Sequence, residues 1–221
     1  MVYLSTPSDT THETSGARRP QQERGQRRVD AILDAAAGLI PEVGIAGLTV
    51  QAIAERAQTS KGSLYHFFAD LDGVVRALAE RHVAAVGALA AAVRDRSDID
   101  WRSMAATEVV GRIMAPFEAY IDAHPEVPLI MRSPANQQRI AAGGVGSMPI
   151  ITSLIESVLR IRTPDVAPEM LAARASAMVT ILHAMKTAQP AGFCTQEGLR
   201  TELRRALAAY LEAAERAARS V

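Results

Sequence analysis

The stretch SKGSLYHFF, Ser60 to Phe68, holds the side chains of this chain best equipped for chemistry. A lysine, two serines, a histidine and three aromatic rings fall within it, although aromatic residues make up 4% of the whole. At helical spacing Leu64 and either Phe67 or Phe68 share one face, leaving Lys61, Ser63, Tyr65 and His66 on the others. Ser60 is placed to cap such a helix. The free N–H groups and positive dipole end of its first turn suit an anionic oxygen. Gly62 lacks a side chain and lets a polyanion backbone come close. Lys61 and Ser63 can reach phosphates or base edges. Tyr65 offers a hydroxyl to phosphate and a ring to thymine methyls. The plainer alternative is a capped surface helix with a buried aromatic end.

Other elements must hold that helix in place. Thr49 can cap a short helix over Val50 to Ala57, with Ile53 and Ala57 inward. A tight turn at Gln58 and Thr59 then leads into the Ser60 helix, which together read as a helix-turn-helix. Before them Val29, Ile32, Leu33, Ala36, Ile40 and Val43 recur at helical spacing, with Gly44 as the C-terminal cap and Pro41 bending or shortening the last turn. After them Asp70 can cap a long fourth helix through Val74, Leu78, Val86, Leu89 and Val93. Residues 1 to about 22 have no apolar period and read as a disordered arm. Its end, RRPQQERGQRR, carries five arginines against one glutamate, Arg27 and Arg28 included. It is either a solvated helix start or a basic arm lying along phosphates.

Composition narrows the function. The 221 residues are 48% hydrophobic and 22% charged, a globular balance. Lys plus Arg equals Asp plus Glu at 24 each, which argues against indiscriminate polyanion binding and leaves room for a local patch. Cys194 is the single cysteine, so no intrachain disulfide can form and a reducing cytoplasm is the expected setting. No secretory signal is visible, and the apolar run Val83 to Val93 is far short of the roughly 20 residues that span a bilayer. GGVGS, Gly143 to Ser147, lacks the lysine of a phosphate loop and follows no strand. No metal-ligand spacing and no nucleophile–base constellation is readable. Neither an enzyme, a metal nor a cofactor is expected.

The rest of the chain reads as helix over about 102–122, 125–138, 147–161, 167–188 and 196–219. The fold class is therefore all-α, with an N-terminal three-helix helix-turn-helix domain over 23–72 and a larger helical bundle over 73–221. Trp101, Met104, Met114, Phe117, Tyr120, Met131, Ile151, Ile155, Met178 and His183 are core candidates first and cavity lining second. His124 and His183 are its polar members, each a hydrogen-bonded structural residue or a ligand contact. The last two helices carry two apolar stripes, more than packing on one body uses up.

With these residues in view, the span from Ile32 to Leu78 resembles the DNA-binding domain of the tetracycline-repressor (TetR) family of bacterial transcriptional regulators. The resemblance rests on Gly44, Thr49, Ile53 to Ala57 and above all Ser60 to Phe68. It implies that Thr49, Ser60, Lys61, Gly62, Ser63, Tyr65 and His66 meet DNA. Gln51 stands where many members carry arginine, and is expected to contact DNA more weakly or to read another base. Gln58 replaces a glycine usual in the turn, and would be strained at positive φ. Leu71 takes the place of a phosphate-holding lysine, between Asp70 and Asp72. The resemblance further implies a homodimer through the last two helices (about 167–188 and 196–219), a palindromic double-stranded operator, and an apolar or amphipathic small-molecule effector in the body. Repression and activation both remain open. The rival expectation is a helical small-molecule-binding protein with a degenerate head.

Overall fold

The computed structural model describes residues 18–144, 146–187 and 195–219, the side chains of 18–21, 183–187 and 196 excepted. These residues form ten helices and no strand: α1 (Arg18–Val43), α2 (Val50–Arg56), α3 (Lys61–Phe67), α4 (Leu71–Arg94), α5 (Ala106–Ala123), α6 (Glu126–Arg132), α7 (Pro134–Ala141), α8 (Met148–Arg162), α9 (Pro168–Thr187) and α10 (Gln196–Arg219). Among them no helix is long and apolar enough to cross a membrane.

The helix starts follow from side-chain oxygens that replace missing backbone acceptors. Thr49 Oγ1 accepts from the N–H of Ala52 at 3.1 Å, Ser60 Oγ from Ser63 at 3.0 Å, and Asp70 Oδ1 from Gly73 at 2.7 Å. Gly44 closes α1 at φ 72, its N–H donating to the Ile40 carbonyl at 2.8 Å. The turn between α2 and α3 closes on two bonds, Thr59 N–H to Ala54 O and Gln58 N–H to Glu55 O. That pattern requires a left-handed residue, and Gln58 takes it at φ 50. Without glycine's freedom, Gln58 holds strain in the middle of the motif.

Two cores result. Ile32, Ile40, Ile53, Leu64, Val74 and Leu78 are fully buried where α1, α2, α3 and the first half of α4 meet. Each such side chain contributes about 1.5–3 kcal/mol by leaving water. Phe67, Phe68 and Leu71 all pack half-buried against this head core. The body core joins Ala90 and Val93 of α4 to α5, α8, α9 and α10 through Val109, Phe117, Leu154, Leu171 and Leu207. Helix α4 thus belongs to both units. Helix α6, which follows α5 of the body in the chain, enters the head core, where its Ile130 is fully buried.

Several boundaries differ from the sequence reading. Arg18 to Gln22 already belong to α1, so the basic run is helical. Pro41 stays inside α1, which continues to Val43. The helix expected over 102–122 begins at Ala106, because the preceding turn is fastened from elsewhere. Arg162 Nη1 donates to the carbonyls of Trp101 and Met104, while its Nε lies 2.5 Å from Glu215 Oε1 on α10. The helix expected over 125–138 is two, broken at Ser133. A residue before proline disfavours helix, and Ser133 is extended ahead of Pro134, capping α7 through Asn136. Cys194 lies outside the described residues, as does the arm before Arg18.

Candidate nucleic-acid interface

Helix α3 sits on the head core through Leu64 and presents Lys61, Gly62, Tyr65 and His66 outward. Tyr65 is 55% exposed, a large ring left in water. A Cβ added at Gly62 would meet nothing of the chain closer than 3.8 Å. The protein's own packing therefore gives no reason for glycine there, whereas a backbone arriving from outside would. The capping hydroxyls of Thr49 and Ser60 accept from the Ala52 and Ser63 N–H groups, and each keeps its own proton to donate.

Lys61 is held. Its Nζ donates to Gln51 Oε1 at 2.9 Å, and Gln51 Nε2 donates on to Glu55 Oε1 at 2.8 Å. This chain of bonds ties the first turn of α3 to α2 and leaves two ammonium protons free for an anion. Leu71 is spent on packing. The Asp70 carboxylate is turned onto the start of α4, where its charge meets the positive end of that helix.

Helix α1 adds a ridge of arginine. A cavity of about 530 Å³ is lined by Arg24, Gly25, Arg28, Ser63, His66 and Phe67, between α1 and α3. A second, of about 280 Å³, runs along Arg24, Arg27, Arg28, Ala57, Gln58 and Thr59, beside the interhelical turn. Arg24 and Arg28 line both. The structure thus brings Arg28 beside Ser63 and His66 and Arg27 beside the interhelical turn, and adds Arg24 to both. Its spacing of four from Arg28 is the sequence signal that could have included it. Of this ridge, Arg27 has an acidic neighbour, Glu23, at 4.0 Å, a surface pair worth little.

The residues singled out in the body divide. Trp101, Phe117, Ile151, Ile155 and Met178 are buried in the body core, with Met104 and Met114 half-buried against it. Met131 packs against the head core instead, because α6 faces α1 and α4 there. The His183 side chain lies outside the described residues. Tyr120 joins a polar cluster with His82, His124 and Glu126. His82 and Glu126 escaped the sequence reading, since they stand far apart in the chain and share no period. Among the described residues no group of three or more His, Cys, Asp or Glu side chains is arranged to hold a metal ion.

An all-helical body carrying a helix-turn-helix whose outer face is cationic and aromatic defines a class of DNA-binding transcriptional regulators. Residues 32–78 match the family described as bacterial regulatory proteins, tetR family, and form its helix-turn-helix domain. The chain as a whole is similar to a TetR-family transcriptional regulator from Streptomyces coelicolor, with 26% identity, 85% of this chain and 99% of that one covered, and a TM-score of 0.53. It shares its fold with a TetR-family regulator from Pectobacterium atrosepticum, at 19% identity, 84% and 93% coverage and a TM-score of 0.59. The regulator PfmR from Thermus thermophilus gives 20%, 84% and 97%, and 0.52. No curated protein matches the sequence.

Proposed function

We propose that this chain is a homodimeric, ligand-responsive transcriptional regulator of the cytoplasm, most simply a repressor, whose head grips an operator through α1 and α3. The observation that carries the reading is the packing of Arg24 and Arg28 beside Ser63 and His66, on a helix that also exposes Lys61 and Tyr65. In this reading the arginines and Lys61 neutralise phosphates, Thr49, Ser60 and Ser63 donate to them, and Gly62 admits the backbone. Tyr65 and Gln51 meet base edges.

Dimerisation through α9 and α10 would set two heads against a palindrome. The exposed Met170, at the start of α9, and the nearby Ile161 are apolar surface such a contact would bury. An apolar or amphipathic effector would enter among Met104, Met114 and the rings of Trp101 and Phe117, and would release DNA by favouring a different head spacing. No catalytic role is assigned to any residue.

The test is binding of the purified protein to the DNA upstream of its own coding sequence, titrated across salt. Loss on Lys61→Ala and Tyr65→Phe is expected, with the salt slope falling by about one for the lysine variant. Weak, sequence-indifferent binding that neither substitution alters would sink the reading. It would instead favour a small-molecule-binding protein with a degenerate head, to which the Lys61–Gln51–Glu55 chain lends some support.

A further inference from the structure

Four polar side chains that the DNA-facing surface does not use meet where the head joins the body. His82 of α4 is 2% exposed, and Glu126, which opens α6, is 4% exposed. The Tyr120 hydroxyl of α5 lies 2.5 Å from His82 Nδ1. His124, at the end of α5, places its Nδ1 3.2 Å from Glu126 Oε1. His82 Nε2 stands 3.4 Å from the same oxygen and makes no hydrogen bond. A carboxylate can only accept, so His124 Nδ1 is the donor of its contact with Glu126. Across the contact between His82 Nδ1 and the Tyr120 hydroxyl either partner can be the donor, and the two hold one proton between them. The charges acting on the ring are Glu126 from α6, Arg81 from α4 itself and His124 from α5. Helix α1 supplies Asp34, which holds Arg81 at 2.6 Å. Helices α7 and α8 also pack on α4 and add no charge that acts on the ring.

The placement matters because α6 packs on α1 and α4 of the head. Its first residue closes this cluster, and four residues later Ile130 is sealed into the head core. A second proton on His82 is poorly accommodated. Burial opposes it more than Glu126 favours it, and lowers the ring from 6.5 to about 4. Any conformation that releases the ring to water binds that proton better. By linkage, such an open state gains about 30-fold over the closed one at a pH of about 5.

We propose that His82, Tyr120, His124 and Glu126 form a proton-operated latch, closed at neutral pH, whose opening frees α6 and with it the seat of the head on the body. The latch rests on the regulator reading only for its consequence on DNA; its opening is a property of the fold.

Hydrogen exchange of the full-length protein, followed by mass spectrometry at about pH 7.5 and about pH 5 and corrected for intrinsic rates, tests it. At the lower pH, peptides covering 71–85 and 126–132 should open about 30-fold more often, while α8 and α10 keep their protection. His82→Gln should abolish the difference. Tyr120→Phe removes the hydroxyl that Nδ1 contacts, which loosens the closed state and should move the midpoint to higher pH. An equal response in the wild type and His82→Gln, or loss of protection spread evenly over α8 and α10, overturns the proposal. Should His82→Gln not fold, Tyr120→Phe decides alone, and an unmoved midpoint overturns it. Operator binding at the two pH values is the second arm. Weakening at the lower pH that His82→Gln relieves supports the latch as a regulator. A protein that binds no DNA at either pH refutes the regulator reading, and the exchange data then decide the latch by themselves.

Discussion

Replacing Arg162 by methionine removes a guanidinium that is 6% exposed and serves three partners at once. The substitution keeps an unbranched stem of similar bulk, so the packing of α8 is largely preserved. What changes is polar. Glu215, 14% exposed, loses its cation, and the carbonyls of Trp101 and Met104 lose their donor. Removing one partner of a buried ion pair costs about 3–5 kcal/mol, most of it the charge left behind. The residual exposure of Glu215 favours the lower part of that range. In a chain of this size such a loss lowers the melting temperature by about 10 °C. Urea unfolding followed by fluorescence suits the measurement, because Trp101 is the sole tryptophan and is 4% exposed beside the lesion. Adding Glu215→Leu should restore most of the loss, since an ion pair removed whole is often nearly neutral. A single-variant loss below about 1 kcal/mol, or a double variant no more stable than the single, would refute the assignment of Arg162 as the clasp of the body.

Three further outcomes follow from the geometry. Gln58→Gly should stabilise the head by about 0.5–1 kcal/mol, the relief of left-handed strain less glycine's greater unfolded entropy, and an unchanged or lower melting temperature would count against it. Ile130→Ala should cost about 2–5 kcal/mol and loosen α6 from the head, visible as faster amide exchange in α1 and α4. His82 is lowered from 6.5 to about 4 by burial, so between those values the unfolded chain binds the extra proton. Its contribution is therefore complete above the upper value and lost as pH falls toward the lower one, about 3 kcal/mol in all. His82→Gln should show an acid-side loss smaller by that amount, and equal titrations would refute the account.

The three caps at Thr49, Ser60 and Asp70 are legible in the sequence because a cap acts within one helical turn of itself. The strain at Gln58 is legible for the same reason, since the turn between two helices dictates its own φ. The break at Ser133 has a local cause in Pro134, whose ring disfavours helix at the residue before it. The choice between Phe67 and Phe68 has no winner, because the extended backbone of Phe68 turns both rings toward the head core.

Helical periodicity fixes which face of a segment is apolar, and so by itself determined that this protein is all-helical, with a helix-turn-helix whose outer face is cationic and aromatic. It carries no information on which core that face enters. Only the tertiary structure sent Ile130 and Met131 to the head, laid Arg24 and Arg28 against α3, hung the turn at Trp101 on Arg162, and closed His82 against Glu126. Those contacts depend on how helices distant in the chain cross one another, and packing complementarity summed over both cores sets that crossing.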